Sequence, residues 1–144
     1  MSRLRLALIG AGTFARKAHA PAYAALQERC QVVAVCSRSH ESAEAVAALL
    51  PEPVAIYDHI PSLLAVEKLD AVAIVLPIPL MPEVTALALA TGIHVVSEKP
   101  IAPTVAQAQS LLEIHRQHPG QVWMVAENWR YEEAFVQAGQ AIRD

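Results

Sequence analysis

The sequence predicts an α/β protein in which a doubly wound, mostly parallel sheet of about six strands carries helices on both faces. Two observations lead to this fold class. Short runs rich in β-branched residues alternate with longer Ala-rich segments of helical period, as expected for parallel strands joined by crossover helices. Runs such as AVAIVL at 71–76 are apolar at every position, so both sides of such a strand need a covering layer of helices.

Six strands follow from these runs. In chain order they are Leu4–Ile9, Val32–Cys36, Val54–Tyr57, Ala71–Leu76, His94–Ser97 and Val122–Ala126.

The segments between the strands contain helix start and stop signals. Helical spacing of Ala and Leu predicts a helix at 42–50, which ends before two nearby prolines. A second helix begins with Pro82 near its first position and ends at Gly92 as a C-terminal cap. A third begins after Thr104, a natural N-cap. Pro21 falls inside the first presumed helix and is expected to kink or restart it.

Length and composition limit the possible functions. With 144 residues, 54% of them hydrophobic, the chain is expected to form one globular domain over 1–144. A net charge of -3 provides no basic surface for nucleic acid or for membranes. The longest strongly apolar stretch is shorter than the roughly 20 residues of a membrane span, and glycines and charges disfavour a secretory signal. Two cysteines form no disulfide framework, so the expected location is cytoplasmic.

The loop after the first strand has the pattern of a dinucleotide-binding turn. LALIGAGTFA places Gly10, Gly12 and Ala15 between a strand and a helix, which matches G-x-G-x-x-G/A and predicts a Rossmann domain. Gly10 permits the tight turn, Gly12 lets a pyrophosphate approach the backbone, and Ala15 allows the helix to pack closely. Free N–H groups of the helix and the Thr13 hydroxyl would bind the anion. Packing alone, or a methyltransferase domain, would also explain such a turn.

The end of the second strand discriminates between cofactors. NAD-binding domains place Asp or Glu there for the ribose 2'-hydroxyl, whereas this chain has Ser37 and Arg38. A hydroxyl followed by a guanidinium suits a 2'-phosphate, so NADP is favoured, with NAD as the alternative. A solvated Arg38, or one stacked on adenine, is the competing interpretation. The missing acid also argues against a methyltransferase.

The stretch VVSEKP ends the fifth predicted strand and places Glu98, Lys99 and Pro100 at the carboxyl edge of the sheet. The loop after the first strand, residues 10–14, is called the glycine loop here. It is on the same edge, where open α/β sheets bind their ligands. A simple surface turn is the alternative. The shared edge favours a functional role and predicts that both segments converge on one cleft.

Three motifs together resemble the Gfo/Idh/MocA family, the glucose-fructose oxidoreductase and inositol dehydrogenase type. They are GAGTFA with His19 downstream, ATGIHVVSEKPIA, and AENWRYEEAF at 126–135. The resemblance implies that Lys99 reaches the substrate hydroxyl beside the nicotinamide, that a cis peptide bond precedes Pro100, and that Glu98 contacts the nicotinamide ribose region. The other residues that it implies near the cofactor or the substrate mouth are Phe14, Pro77, Asn128, Arg130 and Tyr131.

Two departures limit the resemblance. The family often has Pro-Asn-x-x-His after the fourth strand, where this chain has Ile78 and Met81 in place of Asn and His, so the contacts of those side chains are lost. Members of the family also continue for about another domain that carries most substrate contacts, and that domain is expected to be absent from residues 1–144. The aromatic residues Trp129 and Phe135, beside the last strand, are expected to pack in the core.

Three functional hypotheses remain. The first is the nucleotide-binding domain of an NAD(P)-dependent oxidoreductase acting on a small sugar, polyol or similar compound, with Lys99 as the catalytic residue. The second is a non-catalytic NADP-sensing or regulatory module, and the third is a methyltransferase-like domain. A homo-oligomer, or a partner chain that supplies a substrate domain, is a further expectation. The spacing of His115 and His118 resembles that of metal ligands. The sequence provides no third cluster of ligands to complete such a site, so no metal is predicted.

Overall fold

The computed structural model describes residues 2–143 and contains one six-stranded sheet. The strands are β1 Leu4–Ile9, β2 Cys30–Cys36, β3 Ala55–Tyr57, β4 Ala71–Ile74, β5 His94–Ser97 and β6 Trp123–Val125. The helices are α1 Ala20–Ala25, α2 His40–Ala47, α3 Ile60–Val66, α4 Met81–Ala90, α5 Val105–Arg116 and α6 Glu133–Arg143, with a π-helical segment at Ala15–His19 and 3-10 turns at Ile78–Leu80 and Asn128–Tyr131. Every pair of neighbouring strands is parallel, which confirms the predicted fold class.

The strand order β3-β2-β1-β4-β5-β6 creates a crevice in the middle of the sheet. The chain builds outward from β1 to β3 and then returns to build in the opposite direction from β4. The connections after β1 and β4 therefore diverge, and ligands of such sheets bind where they separate. Because β1 and β4 are paired up to Ile9 and Ile74, the segments that follow these two residues border the crevice.

Helices cover both faces of the sheet. On β1, Leu6 and Leu8 lie in a hydrophobic cluster with residues of α1 and α2, whereas Ala7 and Ile9 lie in a second cluster with residues of α3 and α4. All four side chains are at most 5% exposed. Burying a Leu or Ile side chain contributes about 1.5–3 kcal/mol, so cover on both sides stabilises the centre of the sheet.

Helix ends follow the capping signals in the sequence. The Ser39 hydroxyl accepts a hydrogen bond from the Ser42 N–H at 3.2 Å and starts α2 two residues earlier than predicted. Thr104 accepts one from the Gln107 N–H at 3.3 Å, as expected of an N-cap. Gly92 follows α4 with a φ of +85°, a conformation that glycine adopts readily. In residues 2–143, none of the helices has the length and apolar character needed to cross a membrane.

Pro21 restarts the first helix, as predicted. The chain passes through the π-helical segment Ala15–His19 before α1 begins at Ala20 with Pro21 in its first turn. Pro21 has no N–H to donate, and in a regular helix its ring would clash with the carbonyl of Lys17. The wider π-helical turn immediately before it accommodates the proline.

The prediction that Trp129 and Phe135 pack in the core is wrong. Both side chains are 55% exposed, and their rings meet edge to face with centroids 5.3 Å apart. They follow β6, an edge strand, and α6 contains no buried residue. An apolar side chain next to a strand is buried only if another layer covers that strand, and local composition does not reveal whether one does.

Candidate functional site

The glycine loop is held tightly between β2 and β4. Gly10 has a φ of +106°, and a Cβ built on it would lie 2.1 Å from the carbonyl oxygen of Val75. Its N–H donates a hydrogen bond of 2.8 Å to the carbonyl of Cys36. Both the dihedral angle and the lack of space require glycine here, so the turn after β1 is fixed by its neighbours on either side.

Gly12 has open surroundings instead. A Cβ at this position would find no heavy atom within 4 Å, and the first helical turn begins directly after it at Thr13. Exposed backbone at the start of a helix offers N–H groups to an anion. The loop therefore fits the pyrophosphate of a dinucleotide, the cofactor type that the motif predicts.

A cavity of about 540 Å³ lies on one side of the glycine loop. We call it the Arg38 cavity. Next to the glycine loop its polar lining comes from residues 37–42, with Arg38 and three serines, and farther polar groups are those of Asp58, His59 and Glu83. Within residues 2–143, Arg38 takes part in no salt bridge. Its guanidinium and the neighbouring hydroxyls are therefore available to an anionic ligand.

Cys36 also lines the Arg38 cavity but is not a candidate nucleophile. Burial, and after it the charge of Asp58, raises the pKa of the Cys36 thiol to about 11. Such a thiol stays protonated at neutral pH, and the thiolate is the reactive form. The cavity thus offers hydrogen bonds and charge rather than covalent chemistry.

A second cavity, of about 380 Å³, lies on the other side of the glycine loop. We call it the Lys99 cavity. Its walls include Thr13 and Phe14 from the glycine loop and Glu98 and Lys99 from the segment after β5. Both cavities are bordered by the same four residues, which are Gly12, Val75, Leu76 and Pro77. The predicted convergence of the two segments on one cleft is confirmed, and the glycine loop lies at the middle of that cleft.

A hydrogen-bonded pair lies at the Lys99 cavity. His19 Nε2 and Glu98 Oε1 are 2.7 Å apart, and the two side chains are 11% and 12% exposed. The other carboxylate oxygen of Glu98 accepts a hydrogen bond of 3.3 Å from the Lys99 N–H. The Lys99–Pro100 peptide bond is cis, as the resemblance implies. Sequence analysis used His19 only as a motif residue, and no local pattern connects it with a partner 79 positions away.

The remaining predicted site residues do not line either cavity. Ala15 is fully buried in a hydrophobic cluster, so its methyl group packs the helix onto the sheet. Asn128 and Arg130 are exposed after β6 and line neither cavity, and the Arg130 guanidinium lies over the Tyr131 ring at 5.4 Å from its centroid. Over residues 2–143, no three His, Cys, Asp or Glu side chains gather as a metal site.

Residues 4–126 match the Gfo/Idh/MocA oxidoreductase family, which has an NAD-binding Rossmann fold. The chain belongs to this family. Membership in the Gfo/Idh/MocA family confirms the resemblance seen in the three motifs. It also argues against the methyltransferase alternative, since the family consists of oxidoreductases that bind a nicotinamide nucleotide.

Several curated relatives in this family are named as dehydrogenases. The chain is 38% identical over 138 residues to Dehydrogenase FPY6 of Fusarium mangiferae, a match that covers 90% of this chain and 39% of the relative. It is 36% identical over 115 residues to the D-glucoside 3-dehydrogenase of Escherichia coli, covering 80% of this chain and 32% of the relative. The chain therefore spans well under half of the length of these relatives.

Solved structures of the family superpose closely on the fold. An oxidoreductase of Thermotoga maritima has a TM-score of 0.93 at 32% identity, covering 99% of this chain and 43% of that one. The WlbA dehydrogenase of Bordetella pertussis, in complex with NADH and UDP-GlcNAcA, has 0.90 at 25% identity, covering 99% and 42%. A 3-ketoreductase of Actinomadura kijaniata, in complex with NADP and TDP-benzene, has 0.87 at 25% identity, covering 99% and 44%. Structures similar to this chain thus include complexes with either nicotinamide cofactor.

Proposed function

We propose that this chain binds NADP in preference to NAD, as the nucleotide-binding part of an oxidoreductase that moves hydride between the cofactor and a sugar, polyol or similar compound. One observation carries the proposal: the glycine loop lies between the Arg38 cavity and the Lys99 cavity and borders both. A nicotinamide dinucleotide has the matching arrangement, with a pyrophosphate between two nucleosides. Membership in the Gfo/Idh/MocA family supports the binding of a nicotinamide nucleotide and the oxidoreductase function.

The Arg38 cavity suits the adenosine end of the cofactor. Backbone N–H groups at Gly12 would bind the pyrophosphate, while Ser37 and Arg38 would bind the 2'-phosphate of NADP through charge-assisted hydrogen bonds. NAD has a neutral hydroxyl in place of that phosphate. Arg38 therefore contributes more to NADP affinity than to NAD affinity.

The Lys99 cavity suits the nicotinamide end. The bound cofactor supplies the hydride, and Phe14 and Pro77 provide apolar surface beside it. Lys99 is exposed at the cavity, and within residues 2–143 its ammonium takes part in no salt bridge. It is free to donate a hydrogen bond to the substrate oxygen and to move a proton to or from that oxygen.

The choice of substrate depends on more than these two cavities. The D-glucoside 3-dehydrogenase relative supports a sugar substrate, and that relative is much longer than this chain. We therefore assign substrate selection to a further domain, in the same or in a partner polypeptide. A cytoplasmic location is supported by the free thiols of Cys30 and Cys36, which a reducing compartment preserves.

Titration calorimetry with NADPH, NADH and adenosylmethionine tests the proposal. NADPH is expected to bind more tightly than NADH, and Arg38→Ala should lower the NADPH-over-NADH ratio of affinities about tenfold or more, because a charged hydrogen-bond partner of the phosphate is lost. Arg116→Ala is the matched control, since Arg116 pairs with Glu113 on α5 and lines neither cavity. Equal affinities for the two cofactors before and after the Arg38 change would contradict the NADP assignment.

A non-catalytic sensing module would bind NADP equally well. Hydride transfer from NADPH to a panel of keto-sugars separates the two functions, with Lys99→Ala as the comparison. The enzyme predicts a low turnover that Lys99→Ala abolishes, whereas the sensing module predicts no turnover in either protein.

A further inference from the structure

Among the pairs of a basic and an acidic side chain within 4.0 Å of each other in residues 2–143, His19–Glu98 is the most enclosed. Its side chains are 11% and 12% exposed, whereas Arg5–Glu67, the next most enclosed, has values of 44% and 17%. Glu98 nevertheless lines the Lys99 cavity. A carboxylate that is shielded from water on one side thus faces the space that the nicotinamide would occupy.

Two aromatic rings lie beside His19. The His19 ring meets Phe14 edge to face with centroids 5.4 Å apart and lies 6.0 Å from the ring of Tyr23. Burial raises the pKa of Tyr23 to about 12, and the charges of Cys30 and Glu98 add to this rise. Since both side chains of the pair are largely enclosed, water screens the Glu98 charge less than it would at an exposed position.

Both carboxylate oxygens of Glu98 are held. His19 Nε2 contacts one oxygen at 2.7 Å, and the Lys99 N–H donates to the other at 3.3 Å. The shorter bond comes from His19. Without it, the carboxylate keeps only one longer hydrogen bond and is free to turn away from the cavity.

We propose that the His19–Glu98 pair makes the Lys99 cavity prefer the oxidised cofactor over the reduced one, with Glu98 supplying the charge and His19 acting as a positioning residue. The oxidised nicotinamide ring carries a positive charge and the reduced ring is neutral. An imidazole that donates its Nε2–H leaves the full negative charge on Glu98, which attracts only the oxidised ring. The proposal rests on the proposed function, because it requires that the nicotinamide end enters the Lys99 cavity.

The test is the ratio of dissociation constants for NADPH and NADP, measured by calorimetry on the full 144-residue chain at one fixed pH. Glu98→Gln removes the charge, keeps a hydrogen-bond acceptor for His19, and is expected to lower the preference for the oxidised form about tenfold. His19→Ala is expected to lower it several-fold, and His19→Gln, which keeps an N–H donor, to leave it within about twofold of the original.

The ratio separates a charge effect from a structural one. A purely structural role of the pair changes both dissociation constants by the same factor and leaves the ratio unaltered, which would overturn this inference while the proposed function stands. If Glu98→Gln does not fold by circular dichroism, an unchanged ratio in His19→Ala decides against the inference in the same way. Failure of the unmodified chain to bind either form of the cofactor would overturn the proposed function together with this inference.

Discussion

The two cavities beside the glycine loop are built in different ways. The Arg38 cavity has its guanidinium and serine hydroxyls on one short stretch of chain that is close to solvent, residues 37–42, and Asp58, His59 and Glu83 complete its polar lining. The Lys99 cavity brings together segments 12–14, 75–77 and 98–99, and it carries an enclosed carboxylate, that of Glu98, beside the exposed ammonium of Lys99. One cavity suits a permanent anion, and the other suits a group whose charge changes during a reaction.

This difference follows from where charge is needed. A phosphate is always negative, so exposed Arg38 can bind it without burying an ion, which would cost several kcal/mol. A nicotinamide ring changes its charge when hydride is transferred, and a nearby charge discriminates between the two states most strongly where water does not screen it. An enclosed carboxylate therefore has a use in the Lys99 cavity that it would not have in the other.

The largest effect on stability and on nucleotide binding is expected from a substitution of Gly10. This residue fixes the turn of the glycine loop, and the loop borders both cavities. Gly10→Ala would place a Cβ 2.1 Å from the carbonyl oxygen of Val75 at a φ of +106°, and should lower the free energy of unfolding by about 3 kcal/mol or more. Urea denaturation measures this loss, and nucleotide binding should disappear with it.

Gly12→Ala is the matched control for the glycine loop. Its Cβ would enter open space, so the free energy of unfolding should change by less than about 1 kcal/mol. Binding should nevertheless weaken, because the new methyl group occupies the space through which the ligand approaches. Equal destabilisation by both changes would contradict the different surroundings of the two glycines.

A double variant should show that the two cavities act independently. Arg38→Ala is expected to change only the NADPH-over-NADH ratio, and Glu98→Gln only the ratio between oxidised and reduced cofactor, each by about tenfold. In the combined variant both effects should add, as they do for sites that share no partner. Calorimetry on the four proteins gives both ratios. Strong coupling between them would mean that the cavities form a single electrostatic site.

An intermediate effect is expected at alkaline pH from Tyr23, whose ring lies 6.0 Å from that of His19. Its pKa is raised from 10.0 to about 12 in the folded state, so the neutral phenol stabilises the fold fully below pH 10, and this contribution is lost as the pH rises toward 12. Tyr23→Phe should remove the part of the stability loss that Tyr23 causes, which is about 1 kcal/mol of unfolding free energy for each pH unit between the two pKa values. Urea denaturation across the interval measures it, and Tyr131→Phe, at a 67% exposed residue, is the control that should behave like the unmodified chain.

The smallest effect is expected after β6. Asn128→Ala and Arg130→Ala should each change nucleotide affinity by less than about twofold, because neither residue lines a cavity and surface changes are usually small. Calorimetry with NADPH measures this. A larger loss would support the contact with the cofactor that the sequence resemblance implies, and would extend the site beyond the two cavities.

Strand positions were predictable where an apolar run ends on a clear signal. β1 and β5 have the bounds that the sequence predicts, since glycine and charged residues follow them. β4 is shorter than predicted because the chain leaves the sheet after Ile74, and Val75 and Leu76, though apolar, border the cleft instead. The helices α3 and α6 were not predicted, since one is short and contains Pro61 and the other packs no residue into the core.

Within the site, the predictable part was the set of local motifs. Gly10, Gly12, Arg38 and Lys99 stand next to strand ends, and the geometry of a parallel sheet brings such ends to one edge. The pairing of His19 with Glu98 was not predictable in this way. The pairing depends on the direction in which the π-helical segment before Pro21 presents His19. A pattern of residue spacings does not predict that direction.

Periodicity and turn chemistry act over a few residues, and they were sufficient to predict the order of the strands, the two-sided cover of the sheet and the edge that carries both the glycine loop and the segment after β5. The folded chain was needed to show which distant side chains meet, as His19 and Glu98 do at 2.7 Å, and which apolar side chains remain exposed, as Trp129 and Phe135 do. Contact and burial depend on the packing of whole layers, and that packing is a property of the assembled fold rather than of any one segment.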